Sequence, residues 1–409
     1  MPLAKNVPLA WKNLTHDPVR LGLYMAGIGF AVVLMGVQYG IMNAMLDSNT
    51  VLLERLNGEL VLVNPTKSSL LFREAINRRR LEQAAGVPGV AGVDAVYIEY
   101  QLGNVRHTAA DPRARSQTRR ARVIGVDPNA RALNLPEVSD ADWAKLNVPG
   151  TALYDRKSRP HPDQRNHPGE SVFGALAEGV HTELVGRDIT LVGSGFELGF
   201  DFGTDGTFIV SDRTFADWVR RPFAMPGMDP LAEVDLGVVR LQNGADRDQV
   251  QRELQALFAA DGDVDVLTRN DIVAREKWFW WTNTPIGFAF GAGVLLGFVV
   301  GMVICYQILA TDVADHVAEY ATLKAIGYPN RYLSLVVLQE ALLLAALGFA
   351  VGLPATLGLY YLLTDWTGLP VRMTPTRGGL ILVLTFAMCA GSGLLAVRKV
   401  KKVDPADVF

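Results

Sequence analysis

Four long apolar blocks dominate the pattern of hydrophobic and polar positions along the chain. They cover residues 21–46, 286–310, 332–363 and 378–397, and Glu340 is the one charged residue within them. A bilayer core of roughly 30 Å needs about 20 helical residues, so each block is long enough to cross a membrane. The pattern therefore predicts an α-helical membrane protein with four transmembrane helices.

The first block has two interpretations, because basic residues precede it at Lys5, Lys12 and Arg20. One is a cleaved signal peptide and the other is a retained span. The apolar stretch is much longer than a signal-peptide core of about 7–15 residues, and no small-residue cleavage site follows it. We therefore expect a retained span.

Basic residues near the ends of the spans indicate the orientation, because cytoplasmic segments carry an excess of Lys and Arg. Such residues occur in the N-terminal segment, residues 1–20, and in the tail, residues 398–409. We expect a multi-pass protein of the inner (cytoplasmic) membrane with both termini in the cytoplasm. Trp278, Trp280 and Trp281 come just before the second span, where an interfacial aromatic belt is expected.

The long polar segment between the first and second spans, residues 47–283, is predicted to form one large extracytoplasmic (periplasmic) domain. Short strand-like runs alternate there with helical patterns, which is typical of an α+β fold. The expected strands are 59–64, 95–101, 121–126, 188–193, 206–211 and 235–241. The expected helices are 69–85, 213–219, 245–260 and 268–283, the last of which runs into the second span.

Composition and motifs exclude several function classes. The formal net charge is −3, from 39 Lys+Arg and 42 Asp+Glu, which excludes a broadly basic nucleic-acid binder. Two cysteines in 409 residues exclude a disulfide scaffold. The phosphate-binding motif G-x-x-x-x-G-K-[ST] does not occur, so we expect no nucleotide or other cofactor site in this chain.

Two features of the outer segment carry alternative interpretations. His161, Asp163 and His167 lie in a proline-rich stretch that forms either a metal site or a solvated loop, and the loop is favoured because no regular element fixes the ligand geometry. The second feature is a basic run, which either binds anionic lipid or a partner, or forms a solvated face. The solvated face is the commoner case for a charge run. The run consists of Arg113, Arg115, Arg119, Arg120 and Arg122. We expect no catalytic or metal site and therefore a non-enzymatic chain.

The segment between the second and third spans, residues 311–331, is predicted to form a short amphipathic helix at the cytoplasmic surface. One helical face carries Val313, Val317, Tyr320 and Lys324. Gly327 supplies a helix stop, and Pro329 a break before the third span. The helix is either an anchor for the two spans or a lever on which a cytoplasmic protein pushes, and its spacing alone favours neither.

Several separate motifs resemble FtsX/MacB-type (type VII) ABC transporter permeases. The sequence ATLKAIGYP, followed by an apolar helix with Gln339-Glu340, resembles the coupling segment of that family. The tail VRKVKKVDPADVF resembles its basic ending with Asp-Pro. The N-terminal PLAWKNLTHDPVRLGLYMAGIGFAVVLMGVQYG, with WFWWTNTPIGFAFGAGVLLGFVVG and YQILATDVADHVAEYATLKAIGY, resembles the DevC branch. The outer segment matches in placement and size class only.

The resemblance implies a homodimeric permease that binds a separate cytoplasmic ABC ATPase, which carries the ATP and Mg. It also implies a periplasmic membrane fusion protein and an outer-membrane channel as further partners. By the same resemblance, the residues that contact the ATPase are His316, Glu319, Tyr320, Lys324, Ala325, Ile326 and Gly327.

Inside the spans, small residues recur at the four-residue spacing that lets helices approach closely, within one subunit or in a dimer. The main positions are Gly297 and Gly301 in the second span and Gly348 and Gly352 in the third. An intramembrane carboxylate is by default a functional-site hypothesis. For Glu340 we favour a structural carboxylate that ties the third span to its neighbours over one that couples protons.

The sequence therefore predicts the permease subunit of an ATP-driven exporter or mechanotransmission complex, with a lipid, a glycolipid or another amphiphile as substrate. One alternative is a regulatory scaffold that transmits ATPase motion to a periplasmic cell-wall enzyme. The large outer segment favours export over this alternative. Another is a membrane-anchored receptor or enzyme that acts through its outer domain, which requires a clustered site that the sequence does not show.

Overall fold

The structure is a computed structural model that describes residues 9–101, 103–106, 118–221, 227 and 229–401. The chain consists of two compact units: the outer unit, Met45–Thr284, and the membrane unit, Met1–Ala44 together with Pro285–Phe409. Within the described residues, four helices are long and apolar enough to cross a membrane, and the outer unit begins in the last part of the first of them. The predicted fold class, four membrane helices and a large domain with strands and helices between the first two, is confirmed.

The helices follow the sequence pattern closely. In chain order they are α1 (Leu9–His16), α2 (Pro18–Glu54), α3 (Arg79–Ala85), α4 (Asp140–Lys145), α5 (Asp212–Phe215), α6 (Arg247–Phe258), α7 (Arg269–Asn283), α8 (Pro285–Asp315), α9 (Val317–Ala325), α10 (Asn330–Thr367) and α11 (Pro375–Lys401). A π-helical turn, Ala216–Arg220, continues α5. Thr268 and Asp271 form a capping box that begins α7, a signal legible in the sequence.

The strands of the outer unit are β1 (Leu60–Val63), β2 (Ile76–Asn77), β3 (Val90–Glu99), β4 (Asn104–Arg106), β5 (Thr118–Arg120), β6 (Arg122–Val126), β7 (Thr151–Tyr154), β8 (His181–Leu184), β9 (Arg187–Leu191), β10 (Thr207–Ser211), β11 (Glu233–Val234), β12 (Leu236–Leu241) and β13 (Asp265–Thr268). The described residues form an 11-stranded sheet in the order β13-β1-β12-β3-β6-β10-β7-β9-β8-β4-β5, and β11 pairs with β2. The pairs β6–β10 and β7–β9 are parallel, and the other strand pairs within the described residues are antiparallel.

Both faces of the sheet are covered, which explains why its central strands are apolar on both sides. One face packs against α3, α5 and α6, with Leu254 and Phe258 fully buried. The other packs against the end of α2, α4 and α7, where Leu53, Trp143 and Ile272 are buried. The six expected strands are confirmed as β1, β3, β6, β9, β10 and β12.

One expected helix, residues 69–85, is wrong in its first half. Only Arg79–Ala85 is helical, and the preceding residues form a loop and β2. Two side chains bind the loop backbone: Glu276 on α7 accepts from the Leu70 N–H at 2.8 Å, and Lys67 in the same loop donates from Nζ to the Phe72 carbonyl at 2.9 Å. These bonds override the local helical pattern.

In the membrane unit, α2, α8, α10 and α11 pack around one apolar core. Met35, Cys305, Leu344 and Met388, one from each helix, are fully buried in it. Gly368 ends α10 with a φ of 72°, a left-handed conformation that favours glycine. The predicted segments 1–20 and 398–409 lie partly outside the described residues. Lys5 and the Asp404-Pro405-Ala406 ending lie wholly outside them.

Candidate functional site

The connection between α8 and α10 is a short helix bounded by two breaks. α8 continues to Asp315, so Asp312 and Val313 belong to it rather than to a separate surface helix. His316 leaves the helical conformation with φ −102° and ψ 17°, and α9 follows. Gly327, with a φ of 104°, reverses the chain, and Pro329 caps α10. The left-handed conformation explains why glycine occupies position 327.

The turn after α9 carries an exposed apolar surface. Ile326 is 70% exposed and Tyr328 is 43% exposed, and the Tyr328 ring lies 4.9 Å from the ring of Tyr332. Ala325 and Gly327 are also exposed. We name Ala325, Ile326, Gly327 and Tyr328 the α9 corner. Contiguous exposed apolar side chains, unlike single ones, mark protein or membrane contact sites.

The other predicted contact residues lie along α9. Glu319 is exposed in its first turn, and Lys324 is half-buried in its last turn. His316 is half-buried at the opposite end, where its Nδ1 lies 2.9 Å from the Asp312 carbonyl oxygen. Tyr320 lies within α9, but its side chain is outside the described residues. Tyr328 was not among the contact residues predicted from the sequence. The one signal that could have indicated it is its position as an aromatic residue between Gly327 and Pro329.

A polar cavity of about 340 Å³ adjoins this connection, between α1, the first turn of α2 and the end of α8. Arg20 on α2 forms an ion pair with Asp315 on α8 inside it. Both side chains are about half-exposed, so solvent screens the attraction between them. The pair nevertheless links the start of the first span to the residue that precedes the His316 break.

Glu340 on α10 is fully buried, and its carboxyl interacts with that of Asp312 on α8. The contact joins the second and third spans directly behind the His316 break.

The four predicted packing glycines lie at close helix–helix contacts within the chain. A Cβ at Gly297 would lie 3.0 Å from Met35 Cγ, and one at Gly301 would lie 2.2 Å from Met388 Sδ. On α10, a Cβ at Gly348 would lie 2.4 Å from Ile28 Cγ2, and one at Gly352 would lie 2.6 Å from Val32 Cβ. Intrasubunit packing therefore accounts for all four positions.

The candidates in the outer unit do not converge on a catalytic or metal site. His161 and His167 have ring centroids 4.2 Å apart, but both are exposed or half-exposed, and no metal-binding group of His, Cys, Asp and Glu occurs among the described residues. In the basic run, Arg122 is not a solvated residue. It is buried and binds Asp201 at 2.9 Å. Arg113 and Arg115 lie outside the described residues.

The comparisons with known proteins give a family match and similarities to solved structures. Residues 291–405 match the FtsX-like permease C-terminal family. The chain is similar to the periplasmic region of MacB from Actinobacillus actinomycetemcomitans, with 10% identity, a TM-score of 0.36, and coverage of 53% of this chain and 92% of that one. It is also similar to the extracellular domain of the noncanonic ABC-type transporter YknZ from Gram-positive bacteria, with 12% identity, a TM-score of 0.31, and coverage of 52% and 100%. No curated protein matches the chain.

The family match confirms the FtsX/MacB-type resemblance predicted from the sequence. It includes α9 and the α9 corner, and also Glu340, Gly297, Gly301, Gly348 and Gly352. The DevC branch and the roles of the individual residues stay predictions.

Proposed function

The chain is a multi-pass membrane protein with an FtsX-like permease C-terminal region at residues 291–405, and on this premise we propose that it couples a partner ABC ATPase to its outer unit. ATP and Mg would bind in the partner, and this chain would be a non-catalytic subunit. The observation that carries the proposal is the α9 corner, an exposed apolar surface on the short connection between two membrane helices.

The geometry of the connection suits the transmission of force. The helical conformation is interrupted at His316 before α9 and at Gly327 after it. A force on the α9 corner would therefore act on a short helix with a break at each end. The interaction between Asp312 and Glu340 joins α8 to α10 next to the break at His316, and the Arg20–Asp315 ion pair joins α2 to α8. Motion of α9 would therefore pass to three of the four membrane helices.

Export of a lipid, a glycolipid or another amphiphile is the activity that we propose for the complex. The large outer unit, Met45–Thr284, supports this choice over a purely regulatory scaffold. We extend the proposal to a homodimer in the inner membrane with cytoplasmic termini, assisted by a membrane fusion protein and an outer-membrane channel. The basic residues before the first span support this orientation.

The test is co-expression of the chain with a candidate ATPase, followed by measurement of co-purification and nucleotide turnover. Ile326→Asp places a charge at the centre of the α9 corner and is expected to abolish both. The matched control is Val148→Asp, since Val148 is an apolar residue of the outer unit with 58% exposure. If Ile326→Asp keeps its thermal stability and still binds and stimulates the ATPase as the control does, the proposed coupling surface is wrong.

A further inference from the structure

The end of α7 in the outer unit carries a group of aromatic side chains from three separate segments. Phe72 lies in the loop after β1, and its ring is 5.6 Å from Phe279 on α7. Phe202 lies in the loop before β10, and its ring is 5.7 Å from Trp280 on α7. The tertiary structure thus adds two phenylalanines to the aromatic end of α7.

Four of these side chains face outward. Trp278 is 66% exposed, Phe202 56%, Phe72 40% and Trp281 37%. We name these four residues the aromatic rim. Trp280 does not belong to it, because it is buried and its Nε1 donates to Glu276 at 2.7 Å. The aromatic belt expected at all three tryptophans is therefore wrong for Trp280, which anchors α7 in the outer unit.

The Phe202 loop is held in place by a buried charge. The Asp201 carboxylate accepts hydrogen bonds from the Gly203 N–H at 2.9 Å and the Thr204 N–H at 2.7 Å, and it pairs with buried Arg122. These bonds fix the residues on both sides of Phe202. Its exposure is therefore a property of the folded loop.

The Phe72 loop has a similar support. Lys67 is buried, and its Nζ donates to the carbonyl oxygens of Phe72 at 2.9 Å and Glu74 at 3.2 Å. Burial lowers the pKa of Lys67, because removing the charged amine from water costs free energy. Two buried polar groups in distant parts of the chain thus hold two exposed phenylalanines beside the same helix.

The position of the rim in the chain identifies what covers it. Trp281 lies in the last turn of α7, which ends at Asn283, and the membrane helix α8 begins at Pro285. Tryptophan is enriched where a helix leaves the hydrocarbon core, because its ring is apolar and its N–H remains hydrated. Contiguous exposed aromatics elsewhere on a soluble domain would favour aggregation.

We propose that the aromatic rim inserts into the interface of the outer leaflet, so that the Phe72 and Phe202 loops bind lipid together with Trp278 and Trp281. The outer unit then contacts the bilayer through its own loops as well as through the helices that connect it. This contact needs neither an ATPase nor a protein partner, and it does not depend on the proposed export activity.

The test uses the full chain in phosphatidylcholine liposomes, with a fluorescent label on Phe202→Cys and a nitroxide near the lipid headgroup as quencher. The matched control is Val148→Cys, because Val148 has 58% exposure against 56% for Phe202. The native Cys305 and Cys389 are buried, and the unsubstituted chain measures any label that they take up. We expect severalfold stronger quenching by nitroxide lipid at Phe202→Cys than at Val148→Cys, and the reverse order for soluble iodide.

Trp278→Cys is a second reporter and keeps the test decisive if Phe202→Cys does not fold. Equal lipid quenching at the rim and at Val148 overturns the proposal. So does a rim label that iodide quenches as strongly as the control label, since the rim would then face water and be open to a protein partner.

Discussion

The indole Nε1 of Trp280 donates a 2.7 Å hydrogen bond to Glu276, one turn earlier on α7. The same carboxylate accepts from Ser69 Oγ at 2.7 Å and from the Leu70 N–H at 2.8 Å. One buried side chain therefore holds the helix that precedes α8 to the loop that carries Phe72.

Glu276→Ala is expected to destabilise the outer unit by about 2–4 kcal/mol, because it leaves a buried backbone N–H and an indole N–H without their acceptor. Denaturant unfolding of the full chain in detergent, followed by tryptophan fluorescence, measures the change. Glu82→Ala, at an exposed position on α3, is the control and should stay within about 0.5 kcal/mol of the parent. Equal stabilities for the two variants would show that Glu276 does not hold the loop.

Asp155 is expected to make the outer unit less stable as the pH rises. Burial raises the pKa of this carboxyl from 3.8 to about 6, although it accepts backbone N–H bonds from Lys157, Leu198 and Gly199. The folded state therefore binds this proton more tightly than the unfolded state does. Its contribution is fully present below pH 3.8 and is lost as the pH rises through about 6.

The expected loss from Asp155 is on the order of 1 kcal/mol between pH 5 and pH 8. Hydrogen exchange of the Leu198 and Gly199 amides in the full chain, corrected for the intrinsic rate, reports it locally. Asp155→Asn removes the titrating group and should flatten the dependence at these amides. A slope that persists in this variant assigns the effect to another group.

Gly352→Ala is expected to destabilise the membrane unit by about 1–3 kcal/mol through overpacking. A Cβ there would meet Val32 Cβ at 2.6 Å and the Gly29 carbonyl oxygen at 2.9 Å. Gly358 lies on the same helix with nothing within 4 Å of its Cβ position, so Gly358→Ala is the matched control and should be neutral or slightly stabilising. Thermal unfolding in detergent compares the two, and equal midpoints would contradict the close contact between α2 and α10.

Glu340→Gln is expected to preserve most of the stability of the membrane unit, because an amide can share a hydrogen bond with Asp312. Glu340→Ala removes the interaction in a buried place and should cost about 1–3 kcal/mol. The same thermal measurement applies. A Glu340→Gln variant that unfolds normally but loses ATP-driven activity would favour proton coupling over the structural role.

Much of the fold was predictable from local patterns. The four spans follow from the length of uncharged sequence that a bilayer requires, and the central strands follow from short apolar runs. The pattern did not predict several short strands of two to four residues, which are β2, β4, β5, β7, β8, β11 and β13. For the candidate site, Gly327 and Pro329 indicated the turn after α9, whereas only the structure shows that Tyr328 between them is exposed.

The sequence by itself determined the membrane architecture and the position of the connection between α8 and α10, because hydrophobic length and helix breakers act locally along the chain. The tertiary structure alone decided which buried groups bind one another, such as Arg122 with Asp201, Asp312 with Glu340, and Glu276 with Ser69. It also separated buried Trp280 from exposed Trp278 and Trp281 and brought Phe72 and Phe202 to the same helix. Such pairings join residues far apart in sequence, and sheet register and helix packing set them where no local period records them.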